Sequence, residues 1–150
     1  MEISLNNYSR ILQEIKQTVQ IAAVNINKTI SQEKVLMSWK VGKIIDEFLG
    51  NDVEYGSQLI SQLERDLLIS QSTLYQMRSF HNTYPELKAD EITLNWSHYR
   101  SLITIKDDEE RKRFENLALD NSLNAVDLQI EITSSKGKVD ESAKEPKKLY

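Results

Sequence analysis

Apolar side chains recur at spacings of three and four residues from residue 6 to residue 49, and no proline interrupts this stretch. These spacings place the apolar positions on one stripe of an α-helix. The whole chain has only four glycines and two prolines. A sheet-rich domain of this length needs more turn residues than that. The sequence therefore predicts an all-α fold.

The N-terminal stretch can form one long helix or a tight hairpin of two. β-Branched residues between positions 24 and 30 lower the local helix propensity without forbidding a helix. Ser31 is followed three residues later by Lys34 rather than Glu, which makes a poor capping box. We therefore predict one long helix in preference to a hairpin. About 40 residues would span roughly 60 Å, so such a helix either bends or meets a partner chain.

A helix-turn-helix pattern follows the long helix. Gly50 is suited to end that helix, and a first helix is predicted from about Ser57 to Leu68. After a break at Ile69 and Ser70, with Ser70 available as a cap, a second helix runs to about Thr83. A proline at position 85 closes it.

Short helices are predicted for the remainder of the chain. They lie at 96–103, at 106–121 with Asp107 or Asp108 as the cap, and within 122–133, and a two-stranded element near Ile92 is an alternative for the connector. From Ser134 the composition becomes polar. We therefore predict a helical domain over 1–133 and a solvated tail or linker stub over 134–150.

Charge and composition exclude several classes of function. The chain has 19 basic and 23 acidic residues, and residues 57–100 hold four basic and five acidic ones, so there is no basic footprint of the kind most DNA-binding domains show. The absence of cysteine excludes disulfides and thiolate metal sites. No stretch predicts a cofactor, a metal site or a membrane span, and a cytoplasmic location is the default expectation.

Four stretches resemble the N-terminal domain of the YhcG-type family, predicted nucleases of the PD-(D/E)XK class. They are Val35–Glu47, Glu54–Leu67, Ser72–Pro85 and Leu94–Ile132. The order and spacing of Trp, Tyr-Gly, Met-Arg, Tyr-Pro and Trp-Ser-His-Tyr agree with the family pattern, although Gln76 replaces its first arginine and Asn121–Leu123 replaces its Gly-Trp-Ser. In the family a nuclease domain follows, and these 150 residues contain no matching catalytic motif. These residues are either an excised domain or a natural short form. Because the nuclease domain of the resembled family is absent from them, we predict that they have no enzymatic activity.

The second helix of the helix-turn-helix carries the candidate nucleic-acid contacts. Arginine and glutamine commonly read base edges, while tyrosine and serine commonly bind phosphates. The alternative is a solvated polar face on a helix of the protein core. The candidate residues are Gln71, Ser72, Tyr75, Gln76 and Arg78.

A second candidate cluster consists of Trp96, His98, Tyr99 and Arg100. A histidine beside an arginine can serve acid–base chemistry or bind phosphate. A metal site or catalytic triad is disfavoured, because there is no cysteine and the other histidine, His81, lies in a different helix. The alternative is that the two aromatic residues belong to the core while His98 and Arg100 fix helix contacts.

Trp39 and Gly42 form the third candidate site, three residues apart on the long helix. A glycine allows a second helix to approach closely, either within the chain or across a dimer interface. We therefore expect a homo-oligomer built on the long helix. The sequence predicts a non-catalytic helix-turn-helix-like module that binds DNA or positions a PD-(D/E)XK nuclease domain, in cis or in trans. The alternative is a protein–protein module that makes no nucleic-acid contact.

Overall fold

The computed structural model describes residues 3–24, 30–50 and 53–148, which fold into seven α-helices and one short 3₁₀ helix without a β-strand. The all-α prediction is confirmed. The alternative of strands near Ile92 is wrong, because the described residues around it form a 3₁₀ turn at Ala89–Glu91 and contain no strand. The α-helices are α1 (Leu5–Val24), α2 (Ile30–Leu49), α3 (Val53–Leu67), α4 (Gln71–Thr83), α5 (Trp96–Leu102), α6 (Asp108–Asp120) and α7 (Ala125–Lys148).

The prediction of one long N-terminal helix is corrected by the structure. Helices α1 and α2 have 20 residues each and pack against each other. The predicted helical residues 25–29 lie outside the described part of the chain. Because the six Cα–Cα steps from Val24 to Ile30 reach at most about 22 Å and each helix is about 30 Å long, the two helices run antiparallel. Pairing buries the apolar stripe of each helix, which a continuous helix would leave exposed.

The chain divides after Trp96 into two compact units, 1–96 and 97–150. The predicted boundary at position 134 stays a prediction. Helix α7 continues through that position to Lys148. A polar segment can still form a helix, because Lys, Glu and Ser are seldom buried but lower the helix propensity only slightly.

The contact between α2 and α4 forms the centre of the first unit. A Cβ atom added to Gly42 of α2 would lie 1.9 Å from the carbonyl oxygen of Met77 in α4. The two helix backbones therefore touch at this point, which only glycine permits. The buried side chains around this contact are Val35, Val41, Ile45 and Leu49 of α2 and Leu74, Met77 and Phe80 of α4.

Helix α3 completes the first unit beside α1. Leu59, Ile60 and Leu63 of α3 are fully buried, and their spacings of three and four residues place them on one side of the helix. The hydroxyl of Tyr8 in α1 donates a hydrogen bond to Asp66 at the end of α3. Burial, together with this bond to a carboxylate, raises the pKa of Tyr8 and keeps its hydroxyl protonated.

The second unit contains α6 and α7 and nearly all of α5. Helix α7 buries Leu128 and Ile132, whereas the apolar side chains of Val126 and Ile130 are exposed. An α-helix with 3.6 residues per turn cannot direct all four of these positions to one side. Across the described residues, every helix is too short or too polar to cross a membrane.

Candidate interaction surface of the helix-turn-helix

The helix-turn-helix turn consists of the three residues 68–70 between α3 and α4. Leu68 has a φ of 58°, in the left-handed region, and its amide donates to the carbonyl of Glu64 at 3.0 Å. Ser70 is extended, and its Oγ accepts a hydrogen bond from the amide of Thr73 at 3.2 Å. The predicted break and cap are confirmed. The second helix therefore starts and ends close to the predicted positions.

The N-terminus of α4 is occupied by a carboxylate from α3. Glu64 accepts hydrogen bonds from the Gln71 amide at 2.9 Å and from Gln71 Nε2 at 3.2 Å. A carboxylate stabilises a helix N-terminus through the free amides and the helix dipole. A phosphate group would use the same position. Gln71, a predicted nucleic-acid contact, is therefore already held by Glu64.

Arg78, the predicted base or phosphate contact, is paired inside the first unit. Its Nε donates to Asp46 Oδ1 at 3.0 Å, and its Nη2 donates to the carbonyl of Gly50 at 3.0 Å. Asp46 Oδ2 lies 2.8 Å from Nδ1 of His81. The side chains of Arg78, Asp46 and His81 are only 21%, 12% and 17% exposed. Both basic side chains of α4 therefore contact one carboxylate of α2.

The ion pair also secures the end of α2. Gly50 adopts a φ of 55° and its amide donates to the carbonyl of Asp46, which ends the helix as the glycine stop predicts. The guanidinium of Arg78 supplies a positive charge and a donor where the helix dipole is negative. Arg78 therefore has structural partners within the chain, and its role as a DNA contact stays a prediction. The sequence signal for this structural role is that Arg78 lies one helical turn after the apolar Leu74.

The remaining outward positions of α4 form a surface that we call the α4 face, defined by Ser72, Tyr75, Ser79 and Asn82. Ser72 and Asn82 are exposed, Ser79 is half-buried, and Tyr75 is 44% exposed. The structure describes all residues of α4, and none of the side chains on the α4 face is charged. Gln76 lies beside it, half-buried, and its Oε1 has no hydrogen-bond partner within the described residues.

The four residues of the second candidate cluster differ in burial and in the groups that they contact. In the first unit the ring of Trp96 lies 5.2 Å from that of Phe80, centroid to centroid. In the second unit Tyr99 is buried, Arg100 is exposed, and His98 Nε2 donates to the carbonyl of Leu123 at 2.8 Å. Trp96, Tyr99 and His98 agree with the alternative of core aromatics and a histidine at a helix contact, whereas the exposed Arg100 does not show, among the described residues, the contact that this alternative expects. An acid–base role for His98 stays a prediction.

The two residues of the third candidate site differ in exposure. Gly42 is buried against Met77, so its close helix approach is within the chain rather than across a dimer. Trp39 is half-buried, and its Nε1 donates to the carbonyl of Tyr84 at 2.6 Å. Its ring also meets that of His81 edge-on, with centroids 5.2 Å apart. A role for Trp39 in an interface stays a prediction.

Metal ligation and relatedness complete the description of the site. Over the described residues, no group of three or more His, Asp or Glu side chains is placed to hold a metal ion.

Comparisons with curated proteins and with solved structures gave no match. Comparison with protein-family models matches residues 14–136 to the DUF1016 N-terminal domain, and the match is to an N-terminal domain rather than to a nuclease domain. This range contains the helix-turn-helix, Asp46 and the Trp-Ser-His-Tyr segment, and it confirms the resemblance drawn from the four stretches. The chain belongs to the DUF1016 N-terminal domain family.

Proposed function

We propose that the chain is a non-catalytic docking module that positions a nuclease domain through protein contacts of the α4 face. The observation that carries the proposal is that this face is uncharged, because both basic side chains of α4 contact Asp46. Cores of protein interfaces are depleted of charge and enriched in tyrosine. Tyr75 is the largest side chain on the α4 face. The nuclease domain is the partner that the family resemblance implies.

The same contacts argue against α4 as a DNA recognition helix. Neutralising phosphates with free Lys or Arg side chains supplies much of the affinity for DNA. Arg78 already neutralises Asp46, and Glu64 adds a negative charge at the helix N-terminus. A recognition helix with these partners would approach a polyanion with no free cation of its own. A protein surface makes no such demand.

Binding to a separately expressed nuclease domain, taken from a full-length family member, tests the docking proposal. Titration calorimetry should detect a complex, and Tyr75→Glu should weaken it at least tenfold while leaving the melting temperature unchanged. Leu119→Glu in α6 is the matched control, because Leu119 is 43% exposed and lies outside α4. The absence of binding, or an equal loss with both variants, would refute the proposal. The chain alone should not cleave DNA in Mg²⁺ or Mn²⁺.

DNA contact by α4 is the second candidate, and the formed helix-turn-helix turn favours it. Ser72 and Tyr75 are exposed and could reach phosphates. Gln71 and Gln76 are side chains that the sequence predicts to read base edges. Anisotropy of a labelled duplex in about 50 mM salt measures it. Binding that Tyr75→Glu abolishes and Leu119→Glu preserves would establish this candidate. No binding at that salt concentration would remove it.

A further inference from the structure

An open groove of about 470 Å³ runs between α1 and α2 in the first unit. Its apolar lining consists of Ile21, Trp39 and Ile44. Ile21 is 57% exposed, although β-branched aliphatic side chains are usually buried. The indole of Trp39 is held in place by its bond to the carbonyl of Tyr84. A rigid aromatic side chain beside an exposed aliphatic one is typical of the anchor of a protein interface.

The charges that line the groove are balanced. Glu14 and Glu47 provide two negative charges, and Lys40 and Lys43 provide two positive ones. Lys43 Nζ lies 5.4 Å from the ring centroid of Trp39 and 3.9 Å from Glu47. A partner with a large net charge of one sign would meet no excess of the opposite charge in this lining. A two-fold interface uses the same patch on both subunits, so each patch must complement itself, and a lining with equal numbers of both signs meets this requirement.

The size of the α1–α2 surface also suits two copies of the chain. Each of the two helices has 20 residues. At 1.5 Å per residue and about 10 Å per helix diameter, the pair presents a face of about 600 Å². Two such faces bury about 1,200 Å², the lower limit of standard specific interfaces. Packing one helix pair on another is the arrangement of a four-helix bundle.

We propose that the groove between α1 and α2 is the contact surface of a homodimer, with Ile21 and Trp39 as its apolar centre and the four charges as its rim. This surface is separate from the α4 face. The proposal therefore does not depend on docking by α4, and either one can fail alone.

Sedimentation velocity over about 1–100 μM protein, a range chosen for an interface of this size, tests the homodimer. The wild-type chain should change from monomer to dimer as concentration rises. Ile21→Glu should raise the dimer dissociation constant at least tenfold. At concentrations where both chains are monomeric its melting temperature should equal that of wild type, because this side chain is already exposed. Ile130→Glu is the matched control, since Ile130 is 55% exposed on α7, and it should leave dimerisation unchanged. A wild-type chain that stays monomeric, or equal effects of the two variants, would overturn the proposal.

Charge reversal at the rim provides an independent test of self-complementarity. Lys40→Glu with Lys43→Glu makes the rim entirely acidic, and Glu14→Lys with Glu47→Lys makes it entirely basic. Each double variant alone should dimerise at least tenfold more weakly than wild type. An equimolar mixture should form a heterodimer, detectable by native mass spectrometry from the mass difference. Dimerisation of either variant alone at wild-type strength, or a mixture that stays monomeric, would contradict the proposal.

Discussion

Helices α4 and α6 have the same length and the same kind of start but use their arginines differently. Each has thirteen residues and begins after a capping side chain, Ser70 or Asp107. Each holds one arginine largely away from solvent, Arg78 or Arg111. The two helices thus have matching local signals, and each has one arginine largely away from solvent. A sequence pattern alone would not distinguish these two arginines.

The difference lies in how far along the chain the partners are. Arg111 donates to the carbonyl of Ile105 at 2.8 Å and pairs with Asp108, and these two partners lie six and three residues away. Arg78 pairs with Asp46 and donates to Gly50, which lie 32 and 28 residues away. The availability of an arginine for a ligand therefore depends on tertiary contacts that its own helix does not reveal.

The largest expected effect concerns the buried leucine of α4. Leu74 is fully buried, so Leu74→Ala should reduce the free energy of unfolding by about 2–5 kcal/mol through lost contacts and a cavity. Leu119→Ala in α6 removes a side chain that is 43% exposed and should cost less than about 1 kcal/mol. Urea denaturation measures both variants. Equal losses would mean that α4 is no more part of the core than the outer side of α6.

The two arginines should differ next. Arg78→Ala leaves Asp46 in a place where it is only 12% exposed, and we expect a loss of about 2–3 kcal/mol, below the range for fully buried pairs. Arg111→Ala leaves Asp108, which is 90% exposed and hydrated, so the loss should be about 1–2 kcal/mol from the Ile105 hydrogen bond. Thermal and urea unfolding compare the two. An unchanged stability of Arg78→Ala would show that the contact with Asp46 contributes nothing measurable and would favour a role of Arg78 in ligand contact.

The close approach of α2 to the backbone of α4 gives the third prediction. Gly42→Ala places a methyl group where the carbonyl oxygen of Met77 lies, so the helices must separate. We expect a loss of about 1–3 kcal/mol, as for other overpacked sites. Urea denaturation with near-ultraviolet circular dichroism follows both stability and the packing of Trp39. Stability equal to wild type would show that α4 can shift without cost, unlike a helix fixed in the core.

The smallest expected effects are the two caps, which should be alike. Ser70 accepts a hydrogen bond from Thr73, and Asp107 accepts one from Glu110. Replacement of either cap by alanine should cost about 1 kcal/mol, because both bonds are local and exposed. Thermal unfolding of the two variants checks this. A much larger loss at Ser70 alone would mean that the α3–α4 turn transmits strain to the core.

Several elements could be predicted because their causes are local. The turn at 68–70, the Ser70 cap, the Gly50 stop and the Asp107 cap each depend on residues within four positions of one another. Leu74, Met77 and Phe80 recur every three residues, which places them on one face of α4, and all three are buried. Such features follow from helix geometry and hydrogen bonding at helix ends, which a short segment already contains.

Other elements could not be predicted because they depend on which helices meet. The separation of the N-terminal stretch into α1 and α2 depends on burial of one helix against the other. Val126 and Ile130 are apolar residues of the kind that is usually buried. They are exposed because α7 buries the side that carries Leu128 and Ile132. Apolar periodicity states that a face is available for burial and does not state what covers it.

The amino-acid sequence by itself determined the all-α fold, the helix-turn-helix, its cap and its family, because spacing, caps and motifs are properties of neighbouring residues. The tertiary structure decided that Gly42 contacts Met77 and that Arg78 contacts Asp46 rather than solvent. It also decided that Trp39 lies in an open groove. These outcomes depend on the packing of α2 against α4 and α1, which brings together groups about 30 residues apart. A charge is available to a ligand only where the fold leaves it without a closer partner.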